Sequence, residues 1–535
     1  MSIEHLSSPA AKEVISVRRL STPLYISAEW ANGLPPQLAA GIQNLERESL
    51  HKGIISSGYE RFKIQTCAAP PRRREPRPFN PQVDKVRLAK WLVGEILKYR
   101  FKLRHRAYRR ALLSRPCIYG TFGGHFGGFH PIRDKCVGCM RCVEEQPEMC
   151  TVSRNLEFFD FPDSYWIPND PSTSVSSPVA VVSSEASTGK IPIKGMGYRE
   201  GFADEGWDSM WTDMSEIVRP TRDGVYGREY ISTLVDLGRK PKLVEFDNQE
   251  TIQSSRIIQV PVPIIFDYLP ENLSSASIAK SAAAAARRLG ILFIASPAQM
   301  RRVDRSLWKR IVPLVSSSDL DKDPHMIGDA PAVELAEYDS QLMERIRELN
   351  AKAPVSVRLP LNENANADVA KMAGMGVDMI HAFADYHGRA CDPDNSRFVG
   401  DLIRSVHGTL VREHVRDEIT LIASGGITLA EHVPKAIACG ADLVALDTTI
   451  LVALQARFES ECASPSKGRI KPEQFDHRWG EQRLVNLVGS WHDQLIEILS
   501  AMGIRDVRRL RGDIGRAMFR EDLEKEAFND IIQRA

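Results

Sequence analysis

Residues 256–447 predict an eight-stranded (β/α) barrel, on three observations: short runs rich in Val, Ile and Leu recur, amphipathic segments separate most of them, and the runs number eight. The runs are 256–266, 290–296, 310–316, 331–337, 354–360, 377–385, 419–424 and 441–447. Near-continuous apolar strands are those buried on both faces, as parallel strands are. Helical candidates at 275–289, 339–350, 366–375, 396–415, 428–439 and 448–458 supply right-handed crossovers. Between the third and fourth runs, 319–330 shows no crossover helix, so an open doubly wound sheet stays the alternative.

The chain of 535 residues exceeds one ordinary core, and the predicted fold is this TIM barrel preceded by a small ferredoxin-like segment and an α-helical N-terminal region. The expected division is a basic helical region at 1–115, a cysteine segment at 116–160, a linker at 161–195, the barrel with its lead-in at 196–515 and a helical tail at 516–535. The linker is read from the Ser- and Pro-rich stretch 168–190. Arginines crowd 72–115, and Trp91, Leu92, Ile96 and Leu97 fall at helical spacing. Residues 84–113 therefore read as one or two basic amphipathic helices that pack on the protein itself or a partner subunit, with binding to a membrane surface or an acidic partner as the alternative. A net charge of +1 argues against a global nucleic-acid role. The chain shows neither a secretory start nor an apolar run long enough for a transmembrane segment, which gives the expectation of a soluble, cytoplasmic protein.

Of nine cysteines, Cys136, Cys139, Cys142 and Cys150 fall within fifteen residues. The Cys-x2-Cys-x2-Cys spacing of the first three is that of a loop presenting thiolates to one iron–sulfur cluster. Zinc stays open, because His125 and His130 are near. The position where a ferredoxin motif places its fourth cysteine is Gln146, before Pro147. The remaining ligand is then Cys150, which is favoured, or Cys117; with neither, a three-iron cluster (3Fe-4S) replaces a four-iron one (4Fe-4S).

Barrel chemistry sits at the C-terminal strand ends, with phosphate commonly held after strands seven and eight. There the chain has Ser424-Gly425-Gly426, followed by a helix expected from Thr428, and Asp447-Thr448 opening another. Backbone N–H groups at glycines and helix starts suit an anion.

These stretches carry a resemblance. Ala423 to Ile427 and Ala436 to Asp447 resemble the FMN-phosphate region of the glutamate synthase central domain, and Ala353 to Leu359 resembles its fifth strand. Phe202 to Lys242 resembles its lead-in, and with the cysteines the order is similar to archaeal-type glutamate synthase large-subunit homologues over roughly 130–515. The resemblance implies an FMN- and iron–sulfur-dependent oxidoreductase that reduces an imine of 2-oxoglutarate and ammonia, or of a related oxo-acid, in glutamate biosynthesis. Ser424, Gly425, Gly426, Asp447 and Thr448 would hold FMN. Arg358 stands at the family's fifth-strand lysine, a cation beside the flavin and a catalytic candidate; His381 and Asp385 are candidate proton donors or oxo-acid contacts at the sixth strand end. The turns after strands one, two and six depart from the family pattern, as Leu269 to Asn272, Ser296 to Gln299 and Phe383 to Gly388. Those departures favour a rival reading, a non-catalytic electron-transfer or scaffold subunit. With no Gly-x-Gly-x-x-Gly fingerprint, electrons are expected from a partner reductase or ferredoxin subunit.

Overall fold

The computed structural model describes residues 17–20, 61–72, 79–90, 93, parts of 117–154, 178–191, 206–212, 231–240 and 256–519 except 321–323, 393–396, 459–467 and 472. Eight parallel strands close into a barrel: β1 (Ile264–Phe266), β2 (Phe293–Ala295), β3 (Ile311–Val315), β4 (Val333–Leu335), β5 (Val355–Pro360), β6 (Met379–Phe383), β7 (Thr420–Ser424) and β8 (Leu443–Leu446). Closure is made where Leu446 of β8 pairs with Phe266 of β1. This decides against the open sheet, and every predicted run contains its strand.

The first run is split. Pro261 and Pro263 lack the N–H that a ladder needs, so Ile257–Val260 leaves the barrel and pairs antiparallel with Val235–Gly238. That hairpin is fastened under β7, where the Gly238 N–H donates to Thr420 Oγ1 at 3.0 Å. The uncertain crossover between β3 and β4 consists of two one-turn helices, Ser317–Leu320 and His325–Gly328. The Asn350 side-chain amide holds the second by donating to the carbonyls of Ile327 (2.8 Å) and Ala330 (3.1 Å).

The helix Ala276–Leu289 begins at Ser275, whose hydroxyl accepts the Ile278 N–H, and ends at Gly290 with φ 73°. Its buried alanines, from Ala279 to Ala286, let another helix come close. That neighbour is His477–Ala501, which the hydrophobic pattern left unassigned. A Cβ at Gly480 would collide with Ser281, so glycine is needed at the crossing.

The same long helix anchors segments distant in sequence. Arg483 is fully buried and donates to the carbonyls of Ala69 (3.0 Å) and Ser183 (3.3 Å), while Asn486 brackets Cys67. Trp491 Nε1 donates to the buried carboxylate of Glu185 at 2.9 Å. Glu185 lies on the helix Pro178–Thr188, so this part of the expected linker at 161–195 is ordered by burial of Val181, Val182 and Ala186.

The N-terminal region expected to be helical contributes strands as well. Val17–Leu20 pairs with Arg61–Ile64, and Phe79–Val83 pairs with Cys150–Arg154. The cysteine segment therefore takes its partner strand from upstream of 116. Residues 85–90 are helical, and most of the basic stretch 84–113 lies outside the described residues. In the expected tail, Ala517–Phe519 is a strand against Met210–Thr212, and 520–535 lie outside the described residues. Among the described residues no helix is long and apolar enough to cross a membrane.

Candidate functional site

Four barrel strands and the residue after β1 place charged or polar side chains in one buried network. Arg358 on β5 donates from Nη1 to Asp267 Oδ1 at 2.7 Å and to Glu334 Oε1 at 2.9 Å, and from Nη2 to Asp267 Oδ2 at 3.3 Å. Its guanidinium also lies 4.9 Å from the Phe383 ring centroid. His381 on β6 faces both Glu334 oxygens through Nδ1, at 3.1 and 3.2 Å, and Ser424 Oγ on β7 through Nε2 at 3.0 Å. Asp267 Oδ2 is 3.7 Å from the same Nε2. Only Arg358 retains appreciable side-chain exposure, at 13%.

The electrostatics follow from this closure. Burial disfavours the Arg358 charge, yet Asp267 and Glu334 together hold the guanidinium above its ordinary value. Burial likewise would raise the Asp267 carboxyl, but Arg358 and then His381 outweigh it and keep it low. Asp267, Glu334 and His381 have ligand atoms within 4.8 Å of one another, the donor set of a metal site. Arg358 already neutralises its carboxylates. The cation expected beside the flavin is thus an internal ion-pair partner, and its charge is balanced within the barrel.

Asp385 stands apart. Its Oδ1 accepts the N–H groups of His387 (3.0 Å) and Arg389 (2.6 Å), a turn-forming role, and burial raises its carboxyl. The loop it shapes supports β7: a Cβ on Gly425 would stand 2.6 Å from the Asp385 carbonyl, and one on Gly426 would stand 2.6 Å from Gly388 Cα. Both glycines have positive φ, 98° and 69°. The two glycines thus serve the docking of one strand-end loop on another.

The helix expected from Thr428 begins at His432. His432 Nδ1 accepts the Thr428 N–H at 3.1 Å, which removes that donor from an anion site. Trp207 of the lead-in lies over this turn, donating from Nε1 to Gly426 O at 3.2 Å and stacking on His432. At β8 the Asp447 carboxylate caps its helix by accepting from the Thr448 N–H and from Thr448 Oγ1. Burial first and Asp267 second push the Asp447 carboxyl up to about 7. Thr449 Oγ1 donates to Ile427 O at 2.7 Å, joining the two loops. The N–H groups of Gly425, Gly426, Ile427 and Thr449 have no acceptor among the described residues.

Those buried amides lie where phosphate-holding barrels place them, and the sequence comparisons converge on the same region. The model of the conserved region in glutamate synthase matches residues 330–505, from β4 through the long helix. The archaeal-type glutamate synthase [NADPH] of Dehalococcoides mccartyi is 24% identical over 71% of this chain and 86% of its own length. The archaeal glutamate synthase [NADPH] of Archaeoglobus fulgidus is 24% identical over 71% and 85%.

Residues 330–505 match the conserved region of glutamate synthase, and the chain is similar to archaeal-type glutamate synthases over 71% of its length.

Its similarity rises locally: the archaeal glutamate synthase [NADPH] of Methanocaldococcus jannaschii is 33% identical over 32% of this chain and 37% of its own. Among solved structures, the flavin-binding domain of baker's yeast flavocytochrome b2 is 14% identical over 58% of this chain and 82% of that one, with a TM-score of 0.36.

Outside the barrel, Cys117, Cys142 and Cys150 share a buried cluster with Leu88 and Met149. A hydrogen bond between Cys142 and Cys150 raises the first thiol and lowers the second. Cys117 Sγ accepts the Thr121 N–H at 3.2 Å. Met140, between the second and third motif cysteines, has φ 56°, a conformation a non-glycine residue adopts only when its surroundings impose it. Cys136 is half-buried on the preceding turn, and Cys139 lies outside the described residues. Sequence reasoning missed Asp267 and Glu334. Their signal was a charge inside or directly after an apolar run, where burial requires a partner.

Proposed function

We propose that the chain is a flavin-dependent oxidoreductase of the glutamate synthase type, reducing an imine of 2-oxoglutarate and ammonia, or of a related oxo-acid, with electrons from a partner reductase or ferredoxin. The observation that carries this reading is the set of buried amides at Gly425, Gly426 and Ile427, joined by Thr449, at the ends of β7 and β8, within the stretch that matches the conserved region of glutamate synthase. Amides without an internal acceptor fit a phosphate, and they would hold that of FMN. Thr448 fits less well than expected, because its donors serve Asp447. An Asp447 carboxyl poised at about 7 takes up a proton more readily than an ordinary carboxylate, which lowers its repulsion of a nearby anion.

When bound, FMN supplies hydride transfer. The chain's own part is to exclude water from the barrel centre through the Asp267–Arg358–Glu334–His381 network and to fix His381 between Glu334 and Ser424. The cysteine unit would pass single electrons through an iron–sulfur cluster. Cys136, Cys139, Cys142 and Cys150 are the proposed ligands, and the burial of Cys142 beside Cys150 supports the fourth.

The rival electron-transfer or scaffold reading is favoured by the neutralised Arg358, which offers no uncompensated cation to an oxo-acid. One experiment separates the two. The anaerobically reduced, FMN-loaded protein is mixed with 2-oxoglutarate and ammonia: reoxidation of the flavin with formation of glutamate supports the enzyme, and a flavin that stays reduced supports the rival.

A further inference from the structure

We propose that Ser424, His381 and Glu334 form a proton path through the barrel centre, with the Ser424 hydroxyl as its outlet beside the Gly425–Ile427 amides. This rests on the reading that a reduction takes place at this mouth. Three side chains from three separate strands meet in line: Glu334 Oε2 to His381 Nδ1 at 3.1 Å, and His381 Nε2 to Ser424 Oγ at 3.0 Å. All three are buried, with His381 at 0% exposure, so water does not compete for these contacts.

Glu334 Oε1 accepts from Arg358 Nη1 at 2.9 Å, and a carboxylate so paired is an acceptor only. The Nδ1 of His381 therefore carries its hydrogen toward Glu334, which leaves Nε2 to accept from the Ser424 hydroxyl. If a second proton is added, it goes to Nε2, with Asp267 Oδ2 3.7 Å away and Glu334 on the other side; Arg358 is the one cation in the network that opposes it. A histidine serving packing alone has no need of carboxylates near both ring nitrogens and a hydroxyl on one.

The balance for imine reduction is complete. The imine carbon takes the hydride from the reduced flavin, with its two electrons. The reacting state is the one that has taken its second proton on His381 Nε2 from solvent: the imine nitrogen takes the Ser424 proton as the O–H bond breaks, and Ser424 regains a proton from His381 Nε2. The imidazolium becomes neutral imidazole and is reprotonated from solvent after product leaves. Ser424 is the catalytic residue in this scheme, His381 supplies the proton through it, and Glu334 is a positioning residue that fixes the ring.

The test has two arms, one of which needs no flavin. In the first, the full chain is labelled with 15N-histidine and His381 is assigned by its loss in His381→Asn. Long-range proton–nitrogen correlations should show hydrogen on Nδ1 and a hydrogen-bonded Nε2. Ser424→Ala should move the Nε2 resonance and Ser424→Thr should restore it. Hydrogen on Nε2 with a bare Nδ1, or a spectrum indifferent to Ser424→Ala, overturns the path.

In the second arm, flavin content is measured first, because failure to bind flavin bears on the proposed function and leaves the first arm standing. With flavin bound, Ser424→Ala should slow reoxidation by imine about a hundredfold or more while flavin reduction keeps its rate, and Ser424→Thr should recover most of the loss. Unchanged reoxidation in Ser424→Ala overturns the proposal.

Discussion

Replacing Arg358 by Met tests the electrostatic centre of the barrel. The wild-type guanidinium makes contacts of 2.7 and 3.3 Å to Asp267 and 2.9 Å to Glu334, whose side chains are 4% and 1% exposed. Methionine fills similar volume and leaves both carboxylates buried without a cation. Removing one partner of such a pair costs roughly 3–5 kcal/mol. The sign of the pH dependence follows. In the wild type Asp267 is held low, so its stabilising contribution is present above the unfolded value of about 4 and is lost as pH falls through the lower folded value. In Arg358→Met the Asp267 carboxyl loses its main lowering partner and burial raises it instead, so the variant loses stability as pH rises. The difference between the two proteins is then large at about pH 8 and shrinks toward about pH 5. Urea unfolding followed by tryptophan fluorescence at both pH values measures it. A loss below about 1 kcal/mol, or an equal loss at both, refutes the reasoning.

Asp447→Asn should stabilise the fold, because a carboxyl pushed to about 7 destabilises it as pH rises from about 4, by up to roughly 4 kcal/mol above neutrality. Asparagine keeps the helix cap, and a stability–pH profile that still slopes like the wild type through this range contradicts the assignment. Gly426→Ala places a methyl 2.6 Å from Gly388 Cα at φ 69°, and should lower the unfolding midpoint by the equivalent of roughly 2 kcal/mol or more and release flavin; an unaltered midpoint argues against the close approach. Cys150→Ser should lower bound iron in anaerobically isolated protein more than Cys117→Ser does. The reverse order makes Cys117 the ligand.

The strands were legible because buried parallel strands are near-continuously apolar, as in Ile311 to Val315 and Leu443 to Leu446. The split at Pro261 was also written in the sequence, but Ile257 to Phe266 is apolar enough throughout to read as one element. The helix His477–Ala501 escaped because it is packed by four helices and a strand, which spreads its apolar residues around the circumference. At the site, Arg358, His381 and Ser424 were legible singly, by strand-end position. Their connection through Glu334 and Asp267 was not, since it joins residues up to 157 positions apart, from Asp267 to Ser424. Asp385 shows the converse: its turn bonds are local, to His387 and Arg389, and set it apart from the network that strand-end position alone would have it join.

The central claim is that the amides at the ends of β7 and β8 hold FMN. Its most direct measurement is the flavin content and visible spectrum of the full chain, isolated anaerobically and again after reconstitution with FMN. The account predicts stoichiometric FMN with a flavin absorption band, retained on gel filtration and lost in Gly426→Ala. A protein that stays colourless in the flavin region after reconstitution, while folded, contradicts it.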